Sequence, residues 1–99
     1  MSMAMAKHIL SKDKETSEKL LQELNKGADF SKLALKHSLC PSKKRGGDLG
    51  EIRKGDLVKS VEQVIFKQPL KKVHGPIKSK FGYHLIEIYL LALRHILGY

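Results

Sequence analysis

The spacing of apolar and polar positions changes along the chain and divides it into seven elements. Lys7-His8-Ile9-Leu10 is a short apolar run entering a polar stretch and predicts a first strand. From Lys14 to Lys26 the chain is rich in Glu, Lys, Leu and Gln, all good helix formers. Leu20, Leu21 and Leu24 form one stripe at helical spacing there, and Gly27 supplies a stop signal. Asp29 can cap a second helix in which Phe30, Leu33 and Ala34 turn inward while Lys32 and Lys36 face water. Pro41 disfavours helical geometry at Cys40 and ends that helix. Residues 42–50 then read as a loop, basic at first and closing on Gly46-Gly47-Asp48-Leu49-Gly50. Glu51-Ile52-Arg53 predicts a brief strand that Gly55-Asp56 turns, and apolar residues at 57, 58, 61, 64, 65 and 66 predict a third amphipathic helix closed by Pro69. His74 to Lys78 suggests a short strand, Phe81-Gly82 a turn, and Tyr83 to Tyr89, rich in aromatic and β-branched residues, the final strand. The order β-α-α-β-α-β-β implies an α+β domain with a small, four-stranded, mostly antiparallel sheet.

Composition sharpens this picture. Ninety-nine residues suit one domain, and with no Trp, three Phe and three Tyr the core must be built from Leu, Ile and Val. The formal charge of +9 is spread evenly, +4 over residues 1–50 and +5 over residues 51–99, so no basic tail is attached to a neutral domain. Such a charge permits weak nonspecific nucleic-acid binding. However, no aromatic residues interleave with Lys43-Lys44-Arg45, Lys71-Lys72 or Lys78/Lys80, so a solvated basic surface is the expectation rather than a base-stacking platform. The lone Cys40 excludes an intrachain disulfide and suits a reducing compartment, which favours the cytoplasm. A domain excised from an exported protein would act in the periplasm or elsewhere outside the cytoplasm. Residues 1–5 have no signal-peptide pattern and read as a native start or cloning remnant ahead of the domain. The most apolar stretch, Leu85 to Leu97, is short and carries Glu87 and Arg94, so no membrane-spanning helix is expected.

The polar residues set among apolar elements are His8, Cys40, Ser79 and His84. Alternation along a strand puts His84 on one face with Ile86 and Ile88, and His8 on one face with Leu10. Were the first and last strands neighbours, the two histidines could meet. A Cys–His pair raises covalent catalysis, yet no oxyanion-hole glycine pattern or orienting Asn or Asp accompanies it, and Cys40-Pro41 is not a helix start that would favour a thiolate. Two strand histidines and one thiol also lack the close spacing of a metal site.

The chain resembles the parvulin family of peptidyl-prolyl cis/trans isomerases, in particular its small single-domain bacterial and archaeal members. The matching stretches are Lys7 to Leu10, Gly27-Ala28-Asp29-Phe30 with Leu33-Ala34, His37 to Ser42, Arg45 to Gly50, and Gly75 to His84, in order and at family spacing. The resemblance implies the fold already drawn from the pattern, over residues 6–90, and rotation of X-Pro bonds in flexible or unfolded polypeptides as an aid to folding. It implies no cofactor and no metal. By the same resemblance His8 and His84 are paired beneath the site and linked to Ser79, Cys40 faces the rotating carbonyl, and Leu49, Leu57 and Phe81 form apolar wall. Val61 stands where the family usually carries an aromatic side of the proline pocket, which implies a wider pocket and weaker turnover. The alternative is a weakly active or inactive module of the same fold that holds proline-containing or unfolded segments as a chaperone. Ser11-Lys12-Asp13-Lys14 is short and contains an acid, unlike the long basic loop of phosphate-directed members. Residues 91–99 extend past the family's end, and Arg94-His95-Ile96-Leu97 echoes Lys7-His8-Ile9-Leu10. The expectation is a monomer, with a swapped dimer through that echo as the alternative.

Overall fold

The computed structural model describes residues 2–67 and 72–93. Strand β1 (Ser2–Ser11) leads into helices α1 (Lys14–Asn25) and α2 (Phe30–His37), a 3-10 turn (Pro41–Arg45), and strand β2 (Asp48–Arg53). Helix α3 (Lys59–Lys67) and strands β3 (Val73–Ser79) and β4 (Gly82–Leu93) complete the order. The four strands form one antiparallel sheet in the order β2-β1-β4-β3, so the first and last strands are central neighbours.

Local chemistry sets the helix ends. Asp13 and Asp29 sit in extended backbone ahead of α1 and α2, and each carboxylate accepts the N–H three residues on, from Thr16 at 2.8 Å and Lys32 at 3.0 Å. That bond, made to the charged form, holds the Asp13 carboxyl below its ordinary value. Alternation then sorts the sheet into two faces. Ala4, Ala6, Ile52, Ile86 and Ile88 pack under Val61 and Ile65 of α3. On the other face Ile9 and Leu85 pack under Leu20, Phe30 and Ala34 of α1 and α2. Each fully buried Ile or Leu contributes about 1.5–3 kcal/mol, so the sheet is held from both sides.

Several boundaries differ from the sequence pattern; β2 starts at Asp48 rather than Glu51, and α2 ends at His37, short of Cys40. Residues 2–5, expected ahead of the domain, belong to β1, where Met3, Ala4 and Met5 pair with both β2 and β4. Alanine and methionine carry little strand signal, but Ala4 and Ala6 are fully buried because α3 packs close to the sheet there. Residues 91–93, expected beyond the domain, continue β4 opposite Ser2, Met3 and Ala4. Pro41 follows the end of α2 and also opens the 3-10 turn, since its fixed φ suits a first helical position; residues 42–45 were expected as loop. Helix α3 begins at Lys59, which leaves Leu57 and Val58 ahead of it. Pro69, and the echo at residues 94–97 with any exchange through it, lie outside the described residues.

Candidate active site

In the β1–β4 register Leu10 lies opposite His84 and His8 opposite Ile86, so the two histidines are diagonal neighbours on the α3 face of the sheet. Their rings stack with centroids 4.8 Å apart and planes at 28°. His8 Nε2 is hydrogen-bonded to His84 Nδ1 at 2.5 Å, and His84 Nε2 to Ser79 Oγ at 2.5 Å. The Phe81 N–H donates to the same Ser79 oxygen at 3.1 Å. One consistent order of protons has the Ser79 hydroxyl donating to His84 and the His84 Nδ1–H donating to His8; the reverse order serves equally. His8 Nδ1 is buried and has no hydrogen-bond partner among the described residues.

Burial sets the charge of this pair. His8 is 6% exposed and His84 4%. Loss of solvation, with the neighbouring His84 adding repulsion, lowers the His8 pKa to about 4. Burial also lowers that of His84. Both imidazoles are therefore neutral at neutral pH.

Two loops bring the remaining groups over the histidines. The Ser38 hydroxyl, itself buried, accepts the N–H of Leu10 at 3.0 Å and of Cys40 at 3.3 Å, while the Leu39 N–H donates to the Leu10 carbonyl at 2.9 Å. The segment 38–40 is thereby fastened to β1 and carries half-buried Cys40 to the site. On the other side the His8 N–H donates to the Gly47 carbonyl at 2.9 Å. Gly47 has φ +84°, and a Cβ there would stand 2.5 Å from the His8 oxygen, so only glycine lets the loop approach this closely. Asp48 Oδ1 then accepts both the Gly50 N–H at 2.9 Å and the Tyr89 hydroxyl at 2.8 Å. Burial, followed by the Asp48 hydrogen bond and charge, raises the Tyr89 pKa.

Together these elements enclose a cavity of about 450 Å³, lined by His8, Leu10, Leu39, Cys40, Pro41, Leu49, Asp56, Leu57, Val58, Val61, Phe81 and His84. Every residue expected at the site from the sequence is on this lining except Ser79, which sits beside His84. Leu10, Leu39, Pro41, Asp56 and Val58 were not singled out. Leu10 shares the His8 face and the other four flank expected residues, so position relative to those residues was the available signal. Asp56 is the one formally charged lining residue, and its carboxylate accepts the Arg53 N–H at 2.8 Å. The wall is otherwise mostly apolar, with Val61 2% exposed and Phe81 58% exposed at the rim. Among the described residues no three His, Cys, Asp or Glu side chains are grouped as a metal site would require.

Such a site offers an apolar enclosure, a few neutral hydrogen-bonding groups and a thiol, which suits conformational work on a bound chain. Comparison with known proteins agrees. Residues 4–89 match the family model described as Rotamase: PPIC-type PPIASE domain. The foldase protein PrsA of Geobacillus kaustophilus is 43% identical over 84 residues, covering 84% of this chain and 30% of that protein. PrsA of Bacillus subtilis is 39% identical over 83 residues, covering 83% of this chain and 28% of that protein. The chain thus spans under a third of the length of these curated relatives. Among solved structures, PrsA of Bacillus anthracis superposes with a TM-score of 0.90 at 30% identity, over 93% of this chain and 43% of that one. The parvulin NmPin of Nitrosopumilus maritimus superposes with a TM-score of 0.82 at 35% identity, over 91% of this chain and 98% of that one.

Proposed function

Because the chain belongs to the PPIC-type peptidyl-prolyl isomerase domain family, we propose that its cavity binds a proline ring and that the domain rotates the preceding X-Pro bond without covalent chemistry. Rotation about an amide meets a barrier near 18–20 kcal/mol, which arises from resonance that the twisted amide has lost. A catalyst therefore has to bind the twisted form better than the planar one. The apolar wall of Leu49, Leu57, Val61 and Phe81 would hold the ring and exclude water, whose hydrogen bonds to the carbonyl favour the planar form. The observation that carries this reading is the neutral His8–His84 pair, linked to Ser79, under a largely apolar cavity with Cys40 on its lining. The pair carries no charge to attract water into the cavity, and it fixes the geometry of the floor.

Since no bond is broken, Cys40 acts beside the rotating carbonyl and not as a nucleophile. Cys40→Ser is expected to keep part of the activity and Cys40→Asp more of it, measured as exchange between cis and trans forms of an Ala-Leu-Pro peptide. Loss of all exchange in both variants would favour a covalent route. Val61 leaves the proline pocket wide, and the Val61→Phe ring would fill part of the adjacent cavity. An aromatic contact is worth about 0.5–1.5 kcal/mol beyond area, so kcat/KM is expected to rise roughly 3- to 10-fold. No gain in a folded Val61→Phe variant would count against Val61 as the cause of a wide proline pocket.

The relatives named foldase support the wider reading that the domain assists folding by acting on exposed X-Pro bonds in flexible or unfolded polypeptides. A second reading, a module that holds such segments with little turnover, rests on Val61 and on Ser60, which replaces the family's proline. No helix among the described residues is long and apolar enough to cross a membrane. The unpaired Cys40 suits the cytoplasm, and the same site would serve outside it if the domain were part of a longer exported protein. We take the domain to act as a monomer, because one chain supplies the whole site; the basic surface gives it at most weak, salt-sensitive affinity for nucleic acid.

A further inference from the structure

Both neighbours of β1 carry an extra residue at the same level of the sheet. In β2 the partners step from Glu51 opposite Met5 to Asp48 opposite Lys7, so Leu49 and Gly50 together face Ala6. In β4 they step from Leu90 opposite Met5 to Ile88 opposite Ala6, which leaves Tyr89 as the extra residue. Such bulges bend a strand and re-aim the side chains beside them. The β2 bulge carries Leu49 onto the cavity lining, with Gly50 supplying left-handed backbone at φ +70°. From the β4 bulge Tyr89 reaches across β1, and its hydroxyl donates to Asp48 Oδ1 at 2.8 Å. The same oxygen accepts the Gly50 N–H at 2.9 Å, closing a turn around Leu49. Among the described residues these are the donors to the Asp48 carboxylate, since Arg45 Nε reaches the Asp48 main-chain oxygen instead. Asp48 and Tyr89 are half-buried, so water competes less for the bond. A carboxylate held from both sides keeps its orientation, and the turn it closes fixes the direction of Leu49.

Resting on the isomerase reading, we infer that Tyr89 is a positioning residue: its hydroxyl locks the Asp48 turn and so holds Leu49 against a proline ring in the cavity. Tyr89 is not on the cavity lining, so it acts only through Leu49. A loosened Leu49 weakens contact with the ring in planar and twisted forms alike. The loss therefore falls on KM and on peptide affinity rather than on kcat.

Tyr89→Phe keeps the ring and removes the bond. On an Ala-Leu-Pro peptide its kcat/KM is expected to fall roughly 3- to 10-fold, carried by KM and matched by the peptide Kd, with kcat within about 2-fold. Leu49 signals in the methyl spectrum of the labelled domain should shift or broaden. Tyr83→Phe, at a half-buried tyrosine of the same strand off the cavity lining, should change none of these. A double-mutant cycle with Leu49→Ala separates positioning from stability. In that background Tyr89→Phe is expected to lower the urea midpoint further, yet to leave kcat/KM and Kd within about 2-fold of Leu49→Ala alone. Unchanged kcat/KM and Kd in Tyr89→Phe, a loss carried by kcat, or an equal further loss in the Leu49→Ala background overturns the role. Leu49 methyl signals unmoved in Tyr89→Phe overturn it as well, whether or not Leu49→Ala folds. No exchange by the wild-type domain, with the Kd cycle still showing the expected pattern, overturns the isomerase reading and keeps the role of Tyr89.

Discussion

Between pH 6.5 and 4 the domain is expected to lose about 3 kcal/mol of stability through His8 alone. An unfolded His8 titrates at its ordinary value of 6.5, whereas the folded one resists protonation down to about 4. Within that window the unfolded chain binds the extra proton, so stability rises with pH: the His8 contribution is complete above about 6.5 and gone below about 4. His84, also lowered by burial, adds loss in the same direction. Asp13 does not confuse the window, because its depressed carboxyl gives up its contribution only below its ordinary value of 3.8. For a domain of this size 3 kcal/mol corresponds to a fall in Tm on the order of 10–20 °C, readable by thermal melts at half-unit pH steps. His8→Leu removes the titrating group, so its melting points are expected to vary less over the same range. It should also lower exchange activity through altered site geometry, since His84 Nδ1 loses its partner. A wild-type Tm that does not move between pH 6.5 and 4 would mean that the pair is not held neutral.

The second large effect is at Gly47. An alanine Cβ there would lie 2.5 Å from the His8 oxygen and 2.9 Å from the Ala34 Cβ, in backbone with φ +84°. The neighbours are the main chain of the central strand and a side chain of packed α2, neither of which can swing aside. Gly47→Ala is expected to cost about 3 kcal/mol or more, with loss of the His8 N–H to Gly47 bond and of activity. Gly50 is the internal comparison. Its φ is +70° but nothing lies within 4 Å of a Cβ, so Gly50→Ala should cost only the 1–2 kcal/mol of left-handed backbone. Urea midpoints of both variants check the pair. Equal, small losses would show that the loop does not press on β1 as described.

Strand and helix order was legible from periodicity because each element has one clearly apolar face. The ends of the sheet were not. Ala4 and Ala6 are small, so their burial depends on how closely α3 approaches, a tertiary fact with no local signature. Pro41 showed where α2 cannot continue, but a proline reads equally as a stop and as a first helical residue, and only the chain's path to Gly46 decides. The histidine pair was half legible. Alternation placed His8 and His84 each on a strand face, yet their contact required β1 and β4 to be neighbours, which the pattern alone left open. The role of Ser38, within the matching stretch His37 to Ser42, was not legible, because a serine after a helix looks like an exposed cap. Ser38 is 2% exposed and ties β1 to the Cys40 segment.

Whether this cavity accelerates X-Pro rotation without covalent chemistry is decided by exchange NMR on an Ala-Leu-Pro peptide with catalytic amounts of the domain at pH 7.5. Uncatalysed interconversion takes tens of seconds or longer, so the two proline forms give separate, unlinked signals. Cis–trans cross-peaks are expected on adding wild-type protein, with retention at reduced intensity for Cys40→Ser and loss for Gly47→Ala. Peptide signals that shift on binding while no cross-peaks appear would contradict the proposed catalysis.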